Sequence, residues 1–303
     1  MQLNALSVDL EDYFQVSNFD DCIARQEWDQ QPRRVVDNTR RLLDLFDEQG
    51  TSSTFFVLGW VAERETALVR EIADRGHEIA CHGYGHELVY EIGRKGFEKD
   101  LIRAKAAIQD ACGQRVVGYR APSYSITEKS LWALDVLAEQ EFEYDSSIFP
   151  IRHHRYGIPD FPRLPQILRL PEGGELVEFP MTTLPFANTN FPWAGGAYLR
   201  FLPAPLFRWG FRRLVGRQEP TVLYLHPWEI DPDQPRQPVG AAVRVNHYWH
   251  LDRTMPRLNR LLDAHSFAPL RDVIESLRIR KRLPEHLISR DPPSGSAPLR
   301  AIA

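Results

Sequence analysis

The chain has 303 residues, of which 43% are hydrophobic and 11% aromatic, so it can bury a substantial core and is not a disordered protein. Lysine and arginine number 37 against 41 acidic residues, and the net charge of -4 excludes the basic field that holds a nucleic acid. A single domain with elaborations is the expectation for this length.

The cysteine content and the hydropathy of the chain indicate in which cellular compartment the protein is expected. The three cysteines, Cys22, Cys81 and Cys112, are far apart and form no CxxC pair, which favours a reducing environment. The first residues show neither a basic leader nor a cleavage site, and no stretch reaches the ~18 apolar residues of a spanning helix. We therefore expect a cytoplasmic protein.

Strands and helices alternate along the first half of the sequence. An apolar run at 3–10 leads into acidic residues, and residues 35–49 have helical spacing that stops at Gly50. Further strands are predicted at 54–58, 77–81, 116–119 and 142–144, and further helices at 67–75, 97–111 and 127–139. This alternation predicts parallel strands with helices outside them.

The composition changes beyond residue 150, where prolines, paired glycines and clustered aromatics predict long loops laid over a barrel. Only a strand at 221–225 and a helix at 255–265 are predicted within these loops.

Near the end of the chain, a basic cluster (Arg278, Arg280, Lys281 and Arg282) is a candidate contact for an anionic membrane. The Pro/Ser-rich segment that follows predicts disorder. We predict one domain over residues 1–283, with a core at about 5–230, an extension at about 231–283 and a disordered tail at 284–303.

Five groups of polar residues follow predicted strands, at the end where a (β/α) barrel carries its active site. They are Asp9, Glu11 and Asp12; His82 and His86; Arg120; Asp145; and His226. Clustered acids are costly to desolvate without a cation, and imidazoles are typical zinc ligands. Each group alone also fits a surface loop, a turn or a core histidine, so it is their succession at strand ends that indicates a site.

The order of these motifs resembles that of the NodB-homology polysaccharide deacetylases, carbohydrate esterase family 4, over about residues 5–230. In that family an acidic motif, an HxxxH motif, an RxP motif, an aspartate motif and a Leu-rich strand ending in His follow one another. The corresponding segments here are Asp9 to Asp12, His82 to His86, Arg120 to Pro122, Asp145, and Leu223 to His226. The opening Val8 to Phe14 and the aromatic, proline-rich second half resemble deacetylases of bacterial exopolysaccharide gene clusters.

The resemblance implies an α/β fold, a distorted NodB-type (β/α) barrel with long C-terminal loop elaborations. It also implies metal-dependent hydrolysis of the N-acetyl group of an amino sugar, in a bacterial polysaccharide or its lipid-linked precursor, with release of acetate. Asp9 is then the base, Arg120 holds Asp9 ionised, His226 is the general acid, and Asp145 keeps His226 charged if the two are neighbours. A divalent cation, with zinc preferred, is expected on His82, His86 and one carboxylate.

The first motif departs from the adjacent aspartates that are usual in the family. Strand alternation puts Asp9 and Glu11 on one face, whereas Asp12 reaches that face only if the strand bends or ends. Either Glu11 or Asp12 is therefore the expected metal-binding carboxylate.

Aromatic residues in the second half, Trp193, Tyr198, Phe201 and Trp228, either offer flat faces to sugar rings or belong to the core and lid. Two other functions stay open. One is hydrolysis of a cyclic amide or a formamide on the same fold, and the other is a non-catalytic glycan-binding barrel. The sequence defines no oligomeric state.

Overall fold

A mostly parallel β-sheet with helices packed around it forms the protein. A computed structural model describes residues 4–288 and 299–301. The strands are β1 (Asn4–Leu10), β2 (Thr54–Val57), β3 (Glu78–Cys81), β4 (Gly118–Tyr119), β5 (Tyr144–Asp145), β6 (Gln166–Arg169), β7 (Glu175–Glu178), β8 (Thr183–Phe186), β9 (Thr189–Pro192), β10 (Thr221–Leu225), β11 (Glu285–Ile288) and β12 (Leu299–Ala301).

The helices lie mostly between successive strands of the sheet. They are α1 (Val35–Glu48), α2 (Gly59–Arg64), α3 (Thr66–Asp74), α4 (Val89–Cys112), α5 (Trp132–Glu139), α6 (Ala197–Phe201), α7 (Ala204–Gly216), α8 (Ala241–Tyr248), α9 (Thr254–Ala264) and α10 (Leu270–Ile279). No helix within the described residues is long and apolar enough to cross a membrane.

The strand order is β10-β1-β2-β3-β4-β5-β7-β6-β11-β12, and every pair from β10 to β7 is parallel. The chain that follows β7 returns to β10. The Thr182 hydroxyl accepts a hydrogen bond from the N–H of Val222 at 2.7 Å and donates to its carbonyl at 2.9 Å. Parallel strands whose two sides are joined in this way form a distorted (β/α) barrel, as the sequence predicted.

Strand β1 lies between β10 and β2, and it is buried on both faces. Leu6, Val8 and Leu10 pack into the core that contains the helices, each contributing about 1.5–3 kcal/mol. Ser7 and Asp9 alternate with them and therefore point into the barrel. The sequence pattern of β1 thus places a carboxylate inside the barrel.

The region predicted to be long loops contains more regular structure than expected. Four short strands, β6 to β9, and helices α6 and α7 lie between residues 166 and 216, and α8 and α10 follow. Each of the four strands has only four residues, and Pro185 and Pro192 lie within β8 and β9, so local patterns gave little indication of them.

The sheet extends into the segment that we expected to be disordered. Strand β11 pairs in parallel with β6. Across the pair, Arg169 Nη2 lies 2.8 Å from Glu285 Oε1, and the Ile288 side chain of β11 is buried. Strand β12 pairs with β11 in antiparallel fashion. The rest of the expected tail, residues 289–298 and 302–303, lies outside the described residues.

Candidate active site

Loops at the carboxyl ends of neighbouring strands surround a cleft of about 470 Å³. Asp9, Glu11, His82, His86 and His226 all line it. They follow or end β1, β3 and β10, and the parallel arrangement puts these strand ends at the same edge of the sheet. The structure therefore brings together three of the five groups found in the sequence. Arg120, from a fourth group, contacts Asp9.

Arg120 follows β4 and is completely buried. Its Nη1 donates to Asp9 Oδ1 at 2.6 Å and to Ser7 Oγ at 2.8 Å, while its Nε donates to the Ser146 carbonyl at 3.1 Å. The guanidinium compensates the charge of Asp9, which is itself only 2% exposed. Removing one partner of such a buried ion pair typically costs 3–5 kcal/mol.

Glu11 lies just beyond the end of β1, on the same side as Asp9. Its Oε2 is 3.1 Å from His86 Nε2, and the rings of His82 and His86 are 5.6 Å apart. Glu11, His82 and His86 each bring one potential ligand atom to within 4.8 Å of the others. These three side chains form the metal-site cluster.

The segment between the two histidines is a loop and not a helical turn. Gly83 and His86 adopt φ values of +73° and +52°, in the left-handed region. The N–H groups of Gly59 and Trp60, at the start of α2, donate to the carbonyls of Gly83 and Tyr84 at 2.9 and 3.0 Å. The beginning of α2 thus holds the loop in the conformation that makes both imidazoles converge.

Asp12 has a different environment from Glu11. Its carboxylate accepts hydrogen bonds from the backbone N–H groups of Tyr13, Arg34 and Val35, at 2.8, 2.7 and 2.9 Å. Both oxygens are therefore occupied in holding the loop that leads to α1. Of the two expected carboxylates, the structure brings Glu11, and not Asp12, to the histidines.

His226 lies at the end of β10, beside the metal-site cluster. Its Nε2 is 3.2 Å from Glu11 Oε1 and 3.8 Å from Asp9 Oδ2, and its Nδ1 is 2.7 Å from Glu229 Oε1. The Trp228 ring stacks on the imidazole, with centroids 5.1 Å apart, and its indole N–H donates to Glu11 Oε1 at 3.4 Å.

Glu229 connects His226 to a buried arginine. Its Oε2 accepts a hydrogen bond from Arg200 Nε at 2.7 Å, and both side chains are only 1% exposed. Burial acts to raise the pKa of Glu229, but Arg200 and His226 outweigh it and lower the pKa to about 2. Burial likewise acts to lower the pKa of His226, and the carboxylates of Glu11, Glu229 and Asp9 raise it to about 9.

Asp145 was expected to keep His226 charged only if the two are neighbours, and among the described residues its side-chain contacts lie elsewhere. Its carboxylate accepts a hydrogen bond from Ser147 Oγ and is paired with the carboxyl group of Glu178, and burial raises its pKa to about 6. The Ser147 hydroxyl also accepts from the N–H of Ala121 at 2.7 Å. Asp145 therefore supports the loop that carries Arg120, and the expected contact with His226 is made by Glu229.

Glu229 and Arg200 were not predicted from the sequence. Glu229 follows His226 by three residues, within the short 3-10 helix Pro227–Ile230, a spacing that allows the two side chains to meet. That spacing was the one available signal. Arg200 lies in the region predicted to be loops, and no local pattern connects it to Glu229.

The metal-site cluster has the donor set that a divalent cation requires. Burial lowers the pKa of His82 to about 4 and that of His86 well below its usual value, so both imidazoles are neutral. His82 Nδ1 lies 2.8 Å from the Arg120 carbonyl and must donate to it, which leaves Nε2 as an acceptor. Glu11 Oε2 is buried, and among the described residues it receives no hydrogen bond. Two neutral imidazoles and a carboxylate that converge in this way fit a cation.

Of the four aromatic residues named from the sequence, three line the cleft and one does not. Tyr198, Phe201 and Trp228 line the cleft. Trp193 instead packs against Phe207 of α7, with ring centroids 5.9 Å apart, and its indole N–H donates to the Phe207 carbonyl. The Trp228 ring stacks against both His226 and His247, so Tyr198 and Phe201 are the two that can offer a ring face to a ligand.

A barrel with carboxylates, imidazoles and a buried arginine at its strand ends defines a hydrolase-type site on an α/β scaffold. Comparison with known proteins gives two family matches. Residues 15–141 match the polysaccharide deacetylase family, and residues 146–275 match a domain of unknown function, DUF3473.

Two curated relatives are similar over part of their length. A chitooligosaccharide deacetylase of Sinorhizobium fredii is 33% identical over 99 residues, which are 33% of this chain and 44% of that protein. A peptidoglycan deacetylase of Helicobacter pylori is 33% identical over 108 residues, 36% of each chain. The chain therefore matches less than half the length of these relatives.

A crystal structure from Mycobacterium smegmatis, assigned to the polysaccharide deacetylases, has the same fold, with a TM-score of 0.61 and 24% identity over 96% of this chain and 95% of that one. Residues 15–141 are thus similar to the polysaccharide deacetylases, and the whole chain shares its fold with the Mycobacterium smegmatis structure.

Proposed function

We propose that the protein hydrolyses the N-acetyl group of an amino sugar, in a bacterial polysaccharide or its lipid-linked precursor, and releases acetate. The observation that carries the proposal is the convergence of the metal-site cluster, the Asp9–Arg120 pair and His226 on one cleft. Relatives described as acting on chitooligosaccharide and peptidoglycan support an N-acetylated glycan as substrate. An exopolysaccharide is the substrate we favour, as the sequence resemblance implies.

Asp9 is the group proposed to take the proton from the attacking water. The Arg120 guanidinium binds Asp9 through Oδ1 and fixes its orientation, which leaves Oδ2 facing the cleft. The Asp9–Arg120 pair is buried, so protein contacts and not solvent hold the proposed base in position.

His226 is the group proposed to protonate the departing amine. It lies on the side of the cleft where Glu229 holds its Nδ1, so Nε2 points towards the reacting atoms. Glu229 in turn is fixed by Arg200. Separate buried arginines therefore support the two groups: Arg120 contacts the proposed base directly, and Arg200 holds the carboxylate that contacts the proposed acid.

Glu11, His82 and His86 would hold the metal, and zinc is our choice for a set of two imidazoles and one carboxylate. A divalent cation bound there supplies Lewis-acid polarisation of the amide carbonyl and lowers the pKa of a water molecule. We also propose the cytoplasm as the compartment, because the three separated cysteines favour a reducing environment.

The test is product analysis with the purified protein. N-acetylated chito-oligosaccharides and a lipid-linked N-acetyl amino sugar should each be incubated with the protein, with and without a chelator. The proposal predicts acetate that disappears with the chelator and returns when zinc is added. Release of formate, or a ring-opened product from a cyclic amide, would replace the proposed reaction with another. Binding of the glycan without any product would indicate a non-catalytic barrel.

A further inference from the structure

Helix α7 has an unusual outer surface. Leu206 and Trp209, one turn apart, are 43% and 47% exposed, and Phe201, at the end of α6, is 39% exposed. The opposite side of α7 is buried through Phe207 and Phe211. The helix is thus fixed to the protein on one side and presents large apolar side chains to the outside on the other.

The charges around these apolar side chains have one sign. Residues 201–218 contain four arginines and no acidic residue, although the chain as a whole is net negative. Arg212 and Arg213 are exposed, and within the described part of the chain neither has a carboxylate partner. The Arg213 guanidinium lies 6.0 Å from the centre of the Trp209 ring. Basic and aromatic side chains are therefore mixed on one face.

A second basic segment adjoins this face. Arg282 Nη2 donates to the carbonyl of Gln218, just beyond the end of α7, at 3.0 Å. Arg282 belongs to the basic cluster at 278–282, which the sequence analysis connected with an anionic membrane. The two basic segments are thus neighbours in the fold, and they extend the positive surface beyond α7.

The same face leads to the cleft. Phe201 and Tyr198 of α6 line the cleft, and only Leu202 and Pro203 separate α6 from α7. A flat partner that covers Trp209 and Leu206 would therefore lie beside the entrance that Phe201 borders.

We propose that Phe201, Leu206, Trp209, Arg212 and Arg213, here called the α7 surface, dock on an anionic lipid bilayer. An amphipathic helix with aromatic and leucine side chains between arginines is suited to the boundary between headgroups and acyl chains. The complementary charge selects the bilayer and its orientation, because the rest of this net negative protein is repelled by anionic lipid.

Docking in this orientation brings the cleft to the bilayer surface and favours a glycan carried on a lipid as the substrate. This part of the inference rests on the proposed function, whereas the docking itself does not.

Vesicle co-sedimentation tests the docking. The protein would be mixed with vesicles of phosphatidylcholine alone and with vesicles that also contain phosphatidylglycerol. We expect binding to the anionic vesicles only, and weakening by salt. The double variant Trp209→Ser/Arg213→Glu should bind at least tenfold less, because each surface charge contributes about fivefold and the indole adds apolar contact.

The matched control is Lys99→Glu/Ile102→Ser on α4, which reverses one exposed charge and removes an apolar side chain that is 52% exposed. It should bind like the wild type. Melting temperatures of both variants show whether they fold. Absence of binding by the wild type, or equal losses in the two folded variants, would overturn the α7 surface as a docking site.

Acetate release then separates docking from catalysis. With N-acetylglucosamine oligomers in solution, Trp209→Ser/Arg213→Glu should match the wild type, whereas with the same sugar anchored in anionic vesicles it should be at least tenfold slower. An equal rate on anchored sugar would remove the lipid-linked substrate from the proposal. Vesicle binding without acetate from either substrate would leave the docking intact and contradict the proposed function.

Discussion

Glu229 shows how one side chain determines the behaviour of the proposed acid. His226 contacts three carboxylates, and Glu229 is the one whose own charge is secured by a buried arginine. A protonated imidazole is therefore stabilised at the end of β10, and the pKa of His226 is raised to about 9. The proposed general-acid activity should therefore be lost as the pH rises through that pKa.

We predict that Glu229→Gln lowers turnover by about 10- to 100-fold, as is typical for removal of a group that orients a catalytic side chain. The loss of negative charge should also lower the pKa of His226, so the alkaline limb of the pH–rate profile should move to lower pH. Metal content should stay unchanged. Initial rates of acetate release across pH, together with metal analysis, provide the measurement.

The control is Asp145→Asn, which changes a buried carboxyl group that contacts Ser147 instead of His226. Its alkaline limb should coincide with that of the wild type. A shift of the limb in Asp145→Asn, and none in Glu229→Gln, would mean that Asp145 is the partner of His226 after all. Melting curves show whether Arg200, deprived of its carboxylate partner, destabilises the variant.

Individual site residues were predictable where strand periodicity determined them. Alternation along β1 predicted that Asp9 and Glu11 share a face, and both do line the cleft. The Arg200–Glu229 pair behind His226 was not predictable in this way, because the two residues are 29 positions apart and meet only through the packing of α6. The choice between Glu11 and Asp12 also depended on tertiary contacts, namely the N–H groups of Arg34 and Val35.

At the scale of elements, Asp12 connects β1 to α1. Its carboxylate accepts hydrogen bonds from backbone N–H groups at both ends of the intervening loop. It also caps the 3-10 helix Tyr13–Gln15 that follows β1. Removing it would leave buried donors without an acceptor.

Asp12→Ala should therefore lower the free energy of unfolding by about 2–4 kcal/mol, since each unsatisfied buried donor costs roughly 1–3 kcal/mol and water can reach part of the loop. Urea unfolding at neutral pH gives the value. The folded variant should keep its metal, because Glu11 and the histidines are untouched. Loss of metal from a folded Asp12→Ala variant would show that Asp12 belongs to the metal site.

Helices with strong periodicity were mostly predicted. Short strands that form only by pairing with a distant segment were not. Helix α1 buries Leu42, Leu43 and Phe46 and ends before Gly50, as the sequence indicated. Strands β6 and β11 exist because distant segments pair, and a four-residue strand carries too little pattern to show this. Helix α10 is different, because Leu270, Val273, Ile274 and Leu277 have clear helical spacing that the sequence analysis overlooked.

At the scale of the whole molecule, His77 makes stability depend on pH. The ring is 4% exposed and packs between Phe46 and Phe55, and its Nδ1 accepts the N–H of Ser53 at 3.1 Å. Burial lowers its pKa from 6.5 to about 4. Between those values the unfolded chain binds a proton that the folded chain does not, so stability falls as the pH falls from about 6.5 to about 4.

This histidine should account for about 3 kcal/mol of the acid-induced loss, at about 1.4 kcal/mol for each unit of pKa difference. His77→Asn keeps an acceptor near Ser53 but cannot be protonated, so its unfolding free energy should decline less steeply than that of the wild type between pH 6.5 and 4. The exposed His154→Asn serves as control and should follow the wild type. Identical slopes for His77→Asn and the wild type would contradict the prediction.

At the scale of the whole molecule, we propose that different residues of one cleft bind the metal and abstract the proton. Metal per chain and acetate release, measured together on Asp9→Asn and His82→Ala, test it most directly. Asp9→Asn should retain the metal and lose about two to four orders of magnitude in turnover, the usual share of a general base. His82→Ala should lose metal and activity together. An active Asp9→Asn variant, with a His82→Ala variant that keeps its metal, would contradict the account.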